Sequence, residues 1–273
     1  HPDIYDDLDD MLAAYGEYVS ELTEYLVTND RVIQQLGLEI TKLDIRVDTV
    51  GINNEAADFN ATNIREEELS SYFTLEYQGE EIDEFKLPAL GEYNIKHALE
   101  ALAVGYYFGF SFADMKDSLA QFAGVKRRFE ILQQDSNKVV ISDYAHHPSE
   151  VEAVVNNLAQ IETEKEKVVI FQPHQYIRTK RLLDEYEGVL NQELTEKAIF
   201  KIYKVREEVE EEELRALGEE LSQKISSKGA QYFNSYQNLE EWLSNYQSEN
   251  GMIYLFLGAG DIDEWLRDWV RGT

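Results

Sequence analysis

The sequence predicts an α/β protein: a C-terminal, mostly parallel sheet with flanking helices, preceded by a smaller α/β part. Three observations predict it. In the second half, short β-branched runs alternate with stretches whose apolar residues recur three or four apart, the rhythm of crossover units. Between 44 and 90 the pattern is different, with short alternating runs separated by turn residues. Between the two parts, Gly124 leads into Val125-Lys126-Arg127-Arg128-Phe129, a cationic cluster in an acidic chain. The break is placed there, giving parts 1–127 and 128–273.

Taken in order, residues 3–26 read as one amphipathic helix. Ile4, Leu8, Leu12, Tyr15, Val19, Leu22 and Leu26 recur three or four apart. Asp3, Asp6 and Asp7 crowd the first turns, where the helix dipole favours anions. Asn29-Asp30 breaks the pattern, and a short helix over 32–36 follows. Strands are predicted over 44–50, 72–77 and 82–87, the last two joined by a hairpin turn at Gln78-Gly79-Glu80. Asn53, Asn54, Asn60 and Asn63 mark loops. Gly91 opens a helix with Ile95, Leu99, Leu102 and Ala103 on one face, and Phe108-Gly109-Phe110 ends it. Ser111 caps another helix running to Phe122.

In the second half, strands over 129–133 and 138–142 pair across a turn at Asp135-Ser136-Asn137. Further strands are predicted at 167–172, 198–203, 230–233 and 252–257, and helices at 150–160, 179–190, 213–224 and 239–247. Ser149 and Glu152 fit an S-x-x-E capping box at the start of the first of these helices. A right-handed crossover through that helix makes strands 138–142 and 167–172 parallel neighbours. The run 207–213 is nearly all acid and reads as a solvated stretch.

Composition excludes several classes. The 273 residues carry 25 Lys and Arg against 54 Asp and Glu, a net charge of −29. Such a chain repels a phosphate backbone, which argues against a nucleic-acid partner. The absence of cysteine excludes disulfides and thiolate catalysis, and fits a cytoplasmic protein. No apolar run approaches the ~20 residues of a spanning helix, and no basic-then-apolar leader is present.

Four clusters could carry chemistry. Asp143-Tyr144-Ala145-His146-His147-Pro148 sits where a strand gives way to a helix, the edge at which open α/β sheets bind ligands. Phe171-Gln172-Pro173-His174-Gln175-Tyr176-Ile177-Arg178-Thr179 has the same setting on the same edge, and its arginine suits a carboxylate or phosphate. Gly91-Glu92-Tyr93-Asn94, with His97 one turn on, opens a helix, where an asparagine is more often a cap than a ligand contact. Gly258-Ala259-Gly260-Asp261-Ile262 follows a strand, where glycines let a ligand approach and helix-start amides attract anions. No G-x-x-x-x-G-K-[ST] occurs.

Together DYAHHP at 143–148, FQPHQYIRT at 171–179, GVKRRF at 124–129, YKVRE at 203–207 and GAGDI at 258–262 resemble the Mur ligases. The combination of DYAHHP with FQPH and RT is similar to the alanine-adding branch of that family. The resemblance implies a three-domain protein: a UDP-binding domain, a central domain carrying the P-loop, and a C-terminal Rossmann-like domain. Residues 1–127 resemble the C-terminal portion of the central domain, and 128–273 the C-terminal domain. The implied activity is ATP-dependent joining of L-alanine to UDP-N-acetylmuramate through an acyl phosphate, with Mg2+, in the cytoplasm during peptidoglycan synthesis. No oligomeric state is implied.

The resemblance also implies residue roles. Asn94 and His97 would contact adenine, Arg128 would lie near the nucleotide, and Asp143 would hold the ribose hydroxyls. Tyr144, His146, His147 and Arg178 would form the catalytic and amino-acid side, and His1 would help hold magnesium. Two departures stand out. The family's His-Asn-x-x-Asn is Tyr93-Asn94-Ile95-Lys96-His97 here, and the Asp that usually precedes DYAHHP is Ser142. The alternatives are another Mur-type ligase, such as a tripeptide-recycling one, or a non-catalytic binding module that kept the fold.

Overall fold

The computed structural model describes residues 5–272 apart from 6, 68, 162, 192–195, 226–229 and 247. The chain forms two compact units, His1–Ala123 and Gly124–Thr273.

In the first unit the described elements are α1 (Leu8–Ser20), β1 (Tyr25–Thr28), α2 (Asp30–Leu36), β2 (Arg46–Ile52), β3 (Phe59–Glu67), β4 (Ser70–Tyr77), β5 (Glu80–Leu87), α3 (Glu92–Tyr107) and α4 (Phe112–Ala120). Among the described residues they build a five-stranded sheet in the order β1-β2-β3-β4-β5. The first three strands are parallel, and the β3-β4-β5 meander is antiparallel. Phe59, Phe73, Leu75 and Phe85 of the sheet and Ile95, Leu99 and Leu102 of α3 make one buried cluster. Asp7, Asn29 and Ser111 cap their helices by accepting from Asp10, Val32 and Asp114 backbone N–H groups.

Two expectations fail here. The helix predicted over 3–26 ends at Ser20, and Tyr25–Thr28 is instead a strand paired with β2. A short aromatic and β-branched run takes the conformation its sheet partner offers, overriding the helical spacing of Leu22 and Leu26. Asn60 and Asn63 lie in β3, not in loops. The Asn60 amide is used up inside the sheet, accepting from Asn54 N at 2.9 Å and donating to Glu76 at 2.8 Å. Asn63, at φ 50°, sits at the irregularity between Thr62 and Arg65.

The second unit holds β6 (Glu130–Gln134), β7 (Lys138–Asp143), α5 (Pro148–Gln160), β8 (Glu166–Phe171), α6 (Tyr176–Arg181), α7 (Leu183–Leu190), β9 (Glu196–Phe200), α8 (Glu211–Lys224), β10 (Ala230–Phe233), α9 (Tyr236–Asn245), β11 (Met252–Leu257) and α10 (Ile262–Gly272). Its described sheet runs β10-β9-β8-β11-β7-β6, parallel except for β6. Val140, Val168, Ile170, Phe200, Tyr254 and Phe256 face Leu239, Leu243, Ile262 and Leu266 of α9 and α10. Alternate residues Val139, Ile141, Val169 and Phe171 are as fully buried, with Phe171 against the Tyr186 ring of α7 at 5.2 Å.

Strands β7 and β8 are parallel but not neighbours, contrary to the sequence reading, because β11 lies between them and pairs with both. All six β11 residues are buried, as befits a strand covered on both edges and both faces. The helix predicted over 179–190 is two helices broken at Leu182. The capping box is also displaced: α5 starts at Pro148, and Glu150, not Glu152, accepts from the His146 and His147 N–H groups at 3.1 and 3.2 Å.

Entry into β11 depends on Gly251, which holds φ +84°; a methyl group added there would meet the Asn137 carbonyl oxygen at 2.4 Å. Gly251→Ala is therefore expected to destabilise the protein by about 2 kcal/mol, combining backbone strain with the clash. Urea unfolding measures this, and an unchanged midpoint would show that the turn yields freely.

Candidate functional site

The register of three parallel strands determines what meets at the carboxyl edge of the second sheet. Asp143 ends β7, Leu257 ends β11 and Phe171 ends β8, and Leu257 is paired with both of the others. Three residues beyond these ends lie His146, Gly260 and His174. The two histidine rings approach to 5.4 Å.

Each imidazole is held neutral. The His146 Nδ1 lies 3.1 Å from the Tyr144 carbonyl oxygen. A carbonyl only accepts, so Nδ1 donates, and the neutral ring carries its lone pair on Nε2. Burial, with the Arg178 and His147 charges, holds the His146 pKa below its ordinary value, against the Tyr144 bond and Glu150. His174 stacks on Tyr203 at 5.5 Å, and its buried Nδ1 has no hydrogen-bond partner among the described residues. Burial first, then His146 and Arg178, push His174 down to about 4. Arg178 carries the positive charge in this group, and its Nη1 is likewise buried without a partner among the described residues. A guanidinium N–H and an imidazole nitrogen, both buried and unpaired among the described residues, suit an anionic ligand such as a carboxylate or phosphoryl group.

The other residues named from the sequence fall as follows. Tyr144 is partly exposed, with its ring under the Arg127 guanidinium at 4.5 Å. His147 is exposed, with Nδ1 3.1 Å from Ser149 Oγ. Asp143 is 2% exposed, and its two oxygens accept from Phe129 N and Ala145 N, both at 2.7 Å. Burial raises its pKa despite those two bonds. Its carboxylate therefore holds the loop together. Arg128 is exposed, with its charge felt by Asp143 and Glu150. In the first unit, the Asn94 amide donates to the Leu90 carbonyl at 2.7 Å, and His97 is exposed beside Glu100 at 3.1 Å. His1 lies outside the described residues, among which no group of three His, Asp or Glu is placed to hold a metal.

The glycines of 258–262 serve packing. A methyl group on Gly260 would strike Gln172 Oε1 at 2.4 Å and the Tyr203 ring at 2.5 Å. The fully buried Gln172 donates to Asp261 at 2.7 Å and accepts from Ile262 N at 3.2 Å, which bonds the first N–H of that helix within the protein. Arg127 Nη2 donates to the Gly258 carbonyl at 2.6 Å. Sequence reasoning assigned no role to His174, Tyr186, Glu150 or Gln172. The signal for His174 was available: like His146, it lies in a strand-to-helix loop. Tyr186, which donates to the His146 carbonyl at 2.5 Å, carried none, since it comes from α7.

The profile of the Mur ligase middle domain matches residues 1–105, and that of the Mur ligase glutamate ligase domain matches 127–260. The chain belongs to the Mur ligase family. It is 32% identical to the UDP-N-acetylmuramate–L-alanine ligase of Streptococcus pneumoniae over 99% of its own length and 58% of that protein's. It thus spans well under two thirds of the curated Mur ligases it matches. Its fold is similar to that of the UDP-N-acetylmuramate-alanine ligase of Thermotoga maritima, at TM-score 0.75 and 24% identity, covering 98% of this chain and 55% of that one. The MurF ligase of Thermotoga maritima, solved in complex with ADP, aligns at TM-score 0.69 and 14% identity, covering 97% and 57%.

Neutral His174 has a pH consequence. Between its ordinary 6.5 and about 4, the unfolded chain binds a proton that the folded site refuses, so this residue costs stability as pH falls through that window. NMR titration should find His174 uncharged down to about pH 4. His174→Asn should gain stability relative to the parent chain as pH drops, and a titration near 6.5 would contradict the burial argument.

Proposed function

We propose that this chain supplies the C-terminal portion of the central domain (1–127) and the C-terminal domain (128–273) of an ATP-dependent ligase. That ligase joins L-alanine to UDP-N-acetylmuramate in the cytoplasmic stage of peptidoglycan synthesis. The observation that carries this reading is the grouping of Arg178 with two neutral imidazoles, in a chain 32% identical to such ligases over 99% of its length. No described helix is long and apolar enough to cross a membrane.

In the reaction, a muramate carboxylate oxygen takes the γ-phosphoryl group of ATP and releases ADP. The alanine nitrogen then forms a bond to the acyl carbon as the carbon–oxygen bond to phosphate breaks, and the amine's protons go to solvent or a base. Both stages concentrate negative charge, and the amine must approach with its lone pair free. Arg178 answers the first demand: its rigid fork matches a carboxylate or phosphoryl edge and stays charged at any working pH. His146 answers the second, with a lone pair on Nε2 and no charge to repel the incoming ammonium. Tyr144 and His147 line the same loop. Asn94, His97 and Arg128 are assigned to the nucleotide, and Asp143 to fixing the loop from which Tyr144 and His146 project. ATP and Mg2+ are the cofactors of this reading; the described residues offer no ligand set for the metal, and no step is assigned to it.

Arg178→Ala, made in the complete gene product, is expected to lower the rate by about two to three orders of magnitude, as loss of one aimed charge-stabilising donor does. Phosphate release with ATP, UDP-N-acetylmuramate and L-alanine is the measurement. A rate within about threefold of the parent would remove Arg178 from the site.

A further inference from the structure

Arg178 sits on a helix of six residues, too short to hold its own direction, and the turn before it is strained. Gln175 adopts φ 69° and ψ 133°, outside the left-handed well that non-glycine residues tolerate. Such a conformation costs on the order of 1–3 kcal/mol and persists only where its surroundings over-determine it. Here the surroundings are two residues of the loop after β9. Tyr203 accepts from Gln175 N and donates to the Pro173 carbonyl, both at 2.8 Å. Four residues on, the Glu207 carboxylate accepts from Tyr176 N at 2.8 Å with one oxygen and from Ile177 N at 3.0 Å with the other.

We propose that Glu207 is a positioning residue for Arg178: its carboxylate fixes the first turn of α6 and thereby aims the guanidinium that immediately follows. This rests on the reading of Arg178 given above. An anion at those N–H groups is favoured by charge-assisted bonding and by the positive end of the helix. Glu207 stands at the head of the acid run 207–213, yet it differs from the run's other acids. Glu208, Glu210, Glu211, Glu212 and Glu213 are exposed, whereas Glu207 is partly buried and bonded to backbone thirty residues away in sequence. Its charge also reaches His174, where it opposes the depression caused by burial. One carboxylate thus connects the loop after β9 to both functional groups of the loop after β8.

The test uses Glu207→Ala, Glu207→Gln and Arg178→Ala in the complete gene product. Glu207→Ala should speed hydrogen exchange of the Tyr176 and Ile177 amides about tenfold or more, because it removes their acceptor. It should lower kcat/KM for the amino acid about tenfold, since misaiming a charged group by a fraction of an ångström costs that much. KM for ATP should stay within about twofold. Glu207→Gln, which keeps one acceptor oxygen, should fall between. Unchanged amide exchange overturns the clamp. Faster exchange with unchanged amino-acid kinetics overturns the positioning role, provided Arg178→Ala is itself crippled. If Arg178→Ala is silent, the site reading fails and the positioning role falls with it. An equal loss in both substrates together with a lower Tm assigns Glu207 to stability alone, which also overturns the proposal.

Discussion

β11 is hydrogen-bonded along its whole length to β7 on one side and to β8 on the other, in parallel. The site depends on that double pairing. Parallel strands end together, so three loops leave the sheet at one edge. The register places residues the same distance past each end at the same height. His146 and His174 take the outer positions. Gly260 takes the middle one, where any side chain would collide with Gln172 and Tyr203. The glycine thus answers a packing need at that edge.

The electrostatics follow from the same packing. In a chain of net charge −29, the site is built from one guanidinium and two imidazoles that burial keeps uncharged. The acids closest to it are occupied with backbone. Glu150 accepts from His146 and His147 N–H, Glu207 from Tyr176 and Ile177 N–H, and Asp143 from Phe129 and Ala145 N–H. Burial raises the cost of charging Glu150, yet those bonds hold its carboxyl below the usual range. Each acid therefore stiffens a loop while its charge is spent on N–H dipoles. A ligand anion entering here meets the Arg178 guanidinium, whose Nη1 has no partner among the described residues.

Much of this was legible in the sequence. The strand–helix alternation after residue 129, the cap at Ser111, and the apolar face of α3 follow from local spacing and turn chemistry, and they appear where the residues place them. What failed was decided by long-range pairing. Tyr25–Thr28 carries helical spacing, but its neighbour in space is β2, twenty residues on. Strand β11 comes more than a hundred residues after β7, and nothing local in either strand says that they touch. Asn60 reads as a loop residue because amides usually seek solvent, yet here both ends of its amide find partners inside the sheet.

The functional residues divide along the same line. Tyr144, His146, His147 and Arg178 were visible as chemistry-bearing side chains in strand-to-helix loops. Asp143 was equally visible, but its task in the loop was not, because a carboxylate at a buried strand end is first claimed by the nearest unpaired N–H groups. At 2% exposure it has surrendered its hydration, and two backbone bonds replace that loss without leaving an oxygen turned to solvent. The same rule separates Glu207 from its acidic neighbours: a charge becomes part of the site's framework when burial forces it to find backbone, and remains solvated surface when burial does not. Sequence alone records the charge in both cases, and only the fold records which of them has lost its water.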